Sequence, residues 1–291
     1  MTRVAFGLAR IPVLLVVLWL VFAAVLPLAT ERYPAFTLSR GAGGGCLTRP
    51  VGFQPGVDPC VRTIADAYSR PLPDIVVDAA VRSIALLAAV SFAAFTAGML
   101  LGIAAAVLRH RSLASGAIIG STGVVAAVPS FFLAYFLQIA IIFLGGIAGH
   151  AVLPVSGFGL DGHLVLPLLT LGLPAVAIAA QICAARTSDV LDADFVTTAR
   201  AKGLLTSWII RVHVIPHVVP VLLEAVGSGL RVAVASLPII ELILGWNGIG
   251  YLALQAVSVR DPVALTASLL VLAAMFAVTS LVLDLRRAPF H

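Results

Sequence analysis

The chain has 291 residues, of which 61% are hydrophobic and 11% charged, with mean hydropathy +1.12 and a formal net charge of +5. That balance excludes a soluble globular domain and a disordered chain, and leaves a membrane protein. The positive excess follows the loops between apolar runs, so nucleic-acid binding need not be invoked.

Crossing ~30 Å of hydrocarbon takes about 20 apolar helical residues. Six runs are long enough, at 9–29, 83–108, 117–145, 164–185, 215–243 and 263–283. The fold expected is an all-α integral membrane protein with six transmembrane helices. The first run follows Arg3 and Arg10 and exceeds the apolar core of a signal peptide, usually about 7–15 residues, so it reads as a retained anchor. Residues 1–29 form the N-terminal segment and first helix, 30–82 an external segment, and 83–291 a five-helix core.

The external segment carries six Arg and five acidic residues, glycines at 41, 43, 44 and 45, and several prolines. It reads as an irregular excursion, with surface-helix spacing over 61–80 interrupted at Pro71 and Pro73. Cys46 and Cys60 fall here, where a disulfide is permitted. Pairing would close a loop of about 15 residues, worth ~3 kcal/mol by chain entropy. A metal pair is the alternative, but no His is near and two thiols fall short of a closed zinc site. Cys183, inside the fourth run, reads as a small packing residue.

Between the fourth and fifth runs stands a polar, helix-forming segment, Asp194-Phe-Val-Thr-Thr-Ala-Arg-Ala-Lys-Gly-Leu204, with Arg200, Lys202 and Arg211. The fifth run itself contains Glu224, Arg231 and Glu241. Ionisable groups inside a span are costly and face a cavity or a partner. Glu224 and Arg231 lie two turns apart on nearly one face, with Cα atoms ~10.5 Å apart along the helix. Glu241 lies on a different face near the outer end. Contact with a partner subunit and lining of a pathway both fit the three. His213 and His217, four apart around Pro216, suit a capping or interfacial role. Prolines 129, 167, 174, 216, 220 and 238 in or beside the runs suit kinked helices.

Orientation follows the basic residues of the short loops. One side holds Arg3, Arg10, Arg109, Arg111, Arg186, Arg200, Lys202, Arg211, Arg286 and Arg287, and the opposite short loops hold only Arg260. Both termini are therefore expected in the cytoplasm. The chain has no G-x-x-x-x-G-K-[ST] phosphate loop and no H-E-x-x-H helix, so it is not expected to be an ATPase or other enzyme. Ser156-Gly157 lies in a Pro- and Gly-rich turn without a matched His and is not read as a protease site. No cofactor or metal is expected.

Ala199, Gly203 and Ile215-Pro216 keep the spacing of the EAA loop of binding-protein-dependent ABC importers, and Thr-Ala-Arg-Ala-Lys-Gly resembles the dipeptide, oligopeptide and nickel permease family, B-type. Thr197 stands where the Glu of the loop's name would be. Val128-Pro-Ser-Phe-Phe-Leu133, Leu153-Pro-Val-Ser-Gly-Phe-Gly159, Trp246-Asn-Gly-Ile-Gly-Tyr251 and Asp261-Pro262 look like further landmarks of the family, in its order over about 75–291. The external segment is poorly matched.

The resemblance implies a type I ABC importer permease of the bacterial plasma (inner) membrane. It implies a second permease, usually as a heterodimer, two ATPase subunits that use ATP and Mg, and an external binding protein delivering peptides, nickel chelates or other small solutes. Ala199, Arg200, Ala201, Lys202, Gly203 and Leu204, within a loop at 195–212, would couple to the ATPase. Two other classes are a secondary transporter, which would need an ion-coupling site, and a membrane scaffold, which would not need the basic loop.

Overall fold

A computed structural model describes residues 63–159 and 161–287, and every regular element among them is helical. The expected first span, most of the external segment, and Cys46 and Cys60 lie outside the described residues. In chain order the helices are α1 (Ile64–Tyr68), α2 (Leu72–Val107), α3 (Ser112–Ala127), α4 (Ser130–Ala148), α5 (Val165–Leu191), α6 (Asp194–Ala201), α7 (Thr206–Ile209), α8 (Ile215–Leu244), α9 (Ile249–Val259) and α10 (Pro262–Arg287). Short 3₁₀ turns extend α2 and precede α5, and a π-helical turn, Ile210–Val214, joins α7 to α8.

Five stretches are long and apolar enough to cross a membrane: Leu72–His110, Ser130–Ala148, Gly162–Leu191, Thr206–Leu244 and Pro262–Ser280. Two of the expected runs need correction. The run expected at 117–145 is two helices, because Pro129 has no amide and disfavours helix at the preceding residue. Val128 is accordingly extended, at φ −78 and ψ 126, and α3 ends at Ala127. The run expected from 83 starts at Leu72, eleven residues earlier. Pro71 and Pro73 open that helix rather than interrupt it, since amides in a first turn have no helical partner in any case.

The chain divides into two units, residues 78–251 and the remainder, with boundaries inside α2 and α9. In the smaller unit, Asp261 is buried and caps α10, accepting from the amides of Val263 and Ala264 at 3.1 and 3.0 Å through Oδ1. Its other oxygen accepts from the amide of Ile64 at 2.9 Å. Asp at the cap with Pro262 as the first helical residue is a strong helix start. Thr63 and Asp66 exchange bonds in a capping box on α1.

In the larger unit α5 is central: its most apolar stretch is 61% buried, against 6% for α4. Small side chains let the backbones approach. A Cβ at Gly98 would sit 2.6 Å from Ala179 Cβ, and one at Gly102 would sit 2.5 Å from Cys183 Cβ. Gly98 and Gly102 are four apart, so one glycine face of α2 lies along α5. One turn earlier on α5, Gly229 of α8 would meet Ala175 at 3.0 Å.

Candidate functional site: the loop between the fourth and fifth apolar helices

Residues 192–214 form a structured loop between α5 and α8. Its base is tied by Arg109, whose guanidinium grips Asp192 in bidentate fashion, Nη1 to Oδ2 at 2.8 Å and Nη2 to Oδ1 at 2.6 Å. Asp192 caps the end of α5, and α6 starts two residues later. Val196 and Ala199, three apart on one face of α6, are buried and seat the helix on the body of the unit.

A Schellman turn ends α6. The Leu204 amide donates to Ala199 O at 3.3 Å and the Gly203 amide donates to Arg200 O at 2.9 Å, with Gly203 at φ +74. These are the 6→1 and 5→2 bonds of that motif, and glycine is favoured at its left-handed position because it has no Cβ. A Cβ at Gly203 would meet nothing within 4 Å, so the backbone angle, rather than crowding inside the chain, favours glycine there.

Beyond the turn an aromatic cluster fixes the return to α8. Phe195 stacks on His217 with ring centroids 5.6 Å apart and lies 5.8 Å from His213, whose other neighbour is Trp208 at 5.3 Å. His217 Nδ1 is 2.7 Å from the carbonyl of His213. Ile209 and Val214 are buried beneath this cluster. The outward surface of the loop is mixed: Leu205 is 74% exposed, Phe195, Trp208 and Val212 are also exposed, and Arg200, Lys202 and Arg211 are exposed on the same loop. Apolar side chains set among cations form a surface suited to a partner with apolar pockets and acidic residues.

Of the six residues singled out from the sequence, Arg200, Ala201, Lys202, Gly203 and Leu204 are exposed, and Ala199 faces the body of the unit, where it holds the loop in place. The Arg109–Asp192 pair and the aromatic cluster are not among them. The one sequence signal for the cluster is the four-residue spacing of His213 and His217.

The three ionisable residues of α8 separate. Glu224 and Arg231 are half-buried on one stripe of the helix, and Arg231 Nη2 donates to Ser228 Oγ at 3.3 Å. Glu241 is fully buried by this chain's own groups. Its Oε1 accepts from Ser83 Oγ at 2.5 Å, and its Oε2 accepts from the amides of Gly250 and Tyr251 at 2.8 and 3.0 Å. Ser83 Oγ in turn accepts from the amide of Ile249 at 2.8 Å. Glu241 thus caps the start of α9, and this inward placement leaves neither carboxylate oxygen to a pathway or a subunit interface. A Cβ on Gly248 would collide with the Glu241 carboxylate. Around the carboxylate, Trp246 Nε1 donates to Arg82 O at 3.4 Å, Arg82 lies 4.5 Å over the Phe158 ring, and Phe158 packs edge-on against Trp246. Cys183 is buried, with its thiol toward Met99 O. Among the described residues no cluster of His, Cys, Asp and Glu could hold a metal ion.

Comparison with known proteins places these features in a family. The family model described as binding-protein-dependent transport system inner membrane component matches residues 98–288, well over half of the chain. The chain is 29% identical over 196 residues to the glutathione transport system permease protein GsiC of Salmonella typhimurium and of Salmonella typhi, and the aligned part is 67% of this chain and 61% of each relative. The protein of the same name from Escherichia coli strain K12 matches with the same identity and coverage. The match thus spans less than two thirds of the relatives' own length.

Proposed function

Because this chain belongs to the family of inner membrane components of binding-protein-dependent transport systems, we propose that it is one permease of an ATP-driven importer. In this reading it forms a translocation path with a second permease, two ATPase subunits dock beneath it, and an external binding protein delivers the solute. The observation that carries the reading is the 192–214 loop. It is a rigid, capped element that turns apolar and basic side chains outward, and it runs through the π turn directly into α8. ATP hydrolysis belongs to the partners. The bias of basic residues in the short loops puts this loop and both termini in the cytoplasm of a bacterial inner membrane.

The mechanism follows from stiffness. ATP-driven closure of the ATPase pair moves the docked loop, and the loop is anchored by Val196, Ala199 and the Arg109–Asp192 grip. It therefore transmits displacement to α5 and α8, which pack extensively on each other. The outer end of α8 carries Glu241, so the start of α9 and the Ser83 turn of α2 move with it. The solute is a peptide or related small molecule, consistent with relatives that are named as permeases of a glutathione transport system.

Copurification with the ATPase subunit tests the proposal. Leu205→Asp and Trp208→Ala should each weaken recovery of the ATPase and its stimulation by the delivered solute, with membrane insertion unchanged. Undiminished recovery and stimulation in both variants would remove the docking assignment.

A further inference from the structure

Arg231 stands 16 residues beyond the start of α8 and 13 before its end, ~24 and ~20 Å along the helix axis. It therefore sits near the middle of the span, where a cation costs several kcal/mol unless it faces water or an anion. A guanidinium has five N–H donors in a planar fork. Among the described residues that fork makes one hydrogen bond, to the hydroxyl of Ser228. The long apolar stretches among the described residues hold five acidic residues, Asp74, Asp78, Asp189, Glu224 and Glu241, of which only Glu224 and Glu241 share α8 with Arg231, and residues 1–30 contain none. Both oxygens of Glu241 are taken by Ser83 and the start of α9. Glu224 has contacts of its own and lies ~10.5 Å away along the helix.

Arg231 is also not isolated in pattern. Glu224, Gly227, Ser228 and Arg231 succeed one another at helical spacing down one half-buried stripe of α8, and Ala235 continues it as an exposed position. The opposite side of the helix, Leu222, Ala225, Gly229, Ala233 and Leu237, is buried. Among the described residues the stripe is thus only half covered, beside a more exposed apolar face with Val232 and Ile239, and its one cation makes a single hydrogen bond there.

We infer that Arg231 is a contact point in the translocation path for an anionic group, a carboxylate, of the solute in transit. The planar fork of Arg matches the two oxygens of a carboxylate, and a low-dielectric surrounding strengthens the contact. A single site of this kind holds an anion briefly without trapping it, because the charge is balanced by one residue. The inference rests on the transport reading and adds to it the chemistry of the solute that passes.

The test uses the assembled complex in lipid nanodiscs with Ala235→Cys, one turn beyond Arg231. Two water-soluble thiol reagents are compared, the anionic methanethiosulfonate ethylsulfonate and the cationic methanethiosulfonate ethyltrimethylammonium. Labelling of the peptide containing position 235 is read by mass spectrometry, both without nucleotide and with ADP–vanadate. The expected result is labelling in at least one state, with an anionic-to-cationic rate ratio that falls several-fold in Arg231→Gln and is kept in Arg231→Lys. Labelling with a ratio unchanged by Arg231→Gln would overturn the inference. So would the absence of labelling in both states, which would place the stripe against lipid or a carboxylate of the second permease. Failure of the ATPase to copurify would instead count against the transport reading, and that measurement is independent of the labelling ratio.

Discussion

The carboxylate of Glu241 accepts a hydrogen bond from the amide of Gly250 at 2.8 Å, across nine residues of sequence. The contact exists because Gly248 and Gly250 have no side chains. A Cβ on Gly250 would lie 2.5 Å from Pro238 Cα, and one on Gly248 would overlap the carboxylate itself. The Trp246-Asn-Gly-Ile-Gly-Tyr251 segment is therefore a cradle in which two glycines admit one buried acid.

Truncating Glu241 strands its donors. Glu241→Ala should leave the Ser83 hydroxyl and two amides unsatisfied in a buried site, at about 1–3 kcal/mol for each donor that finds no water. Glu241→Gln keeps an acceptor oxygen and should cost less. The check is the apparent melting temperature of the purified protein in detergent, and the order Ala below Gln below wild type is expected.

Glycine substitutions should divide by location. Gly250→Ala places a methyl against Pro238 backbone, which cannot rotate away, and should destabilise by roughly 1–3 kcal/mol. Gly116→Ala and Gly120→Ala in α3 meet nothing within 4 Å. They should be neutral or stabilise by about 0.5–1 kcal/mol, since Ala is the better helix former. The same melting measurement separates the two classes.

At the loop, Gly203→Val should cost about 1–2 kcal/mol locally, because a β-branched residue at φ +74 is strained, and Gly203→Asn should cost less. The distinguishing readout is ATPase recovery and stimulation. The Asn variant should retain most of both, and the Val variant should lose coupling while inserting normally.

The Arg109–Asp192 grip is partly exposed, with side chains 24% and 67% accessible, so its worth should be modest. Arg109→Gln, Asp192→Asn and the double variant should each lose less than about 1 kcal/mol, with the double no worse than the larger single. Added salt should shrink the wild-type advantage. Additive losses in the double variant would show that the two residues act separately.

The sequence is read well where burial sets a long apolar period and poorly where one residue acts through a distant one. The apolar runs at 164–185, 215–243 and 263–283 all lie within helices, because their composition leaves no other way to satisfy the backbone in lipid. The 117–145 run reads as one helix because hydropathy does not register the missing amide of Pro129. Gly203 is legible as a turn, since a glycine after a short amphipathic helix marks its end. The role of Glu241 is not legible, because its partner Ser83 lies 158 residues away and periodicity carries no information about that pairing. Arg109 counts only toward topology, for the same reason: Asp192 is 83 residues distant.

The wide turn at Ile210–Val214 shifts the phase of the helix it enters. Each residue of an α-helix advances the side-chain direction by about 100°. A π turn accommodates one residue more than an α turn, so it resets the angular relation between α7 before it and α8 after it. A helical wheel drawn continuously from Thr206 would therefore point Arg231 about 100° away from where it lies relative to Trp208. Deleting one residue within 210–214 should therefore convert the turn to ordinary helix and leave the polar stripe of α8 in its present relation to the loop, because an α turn sweeps about the same angle with one residue fewer.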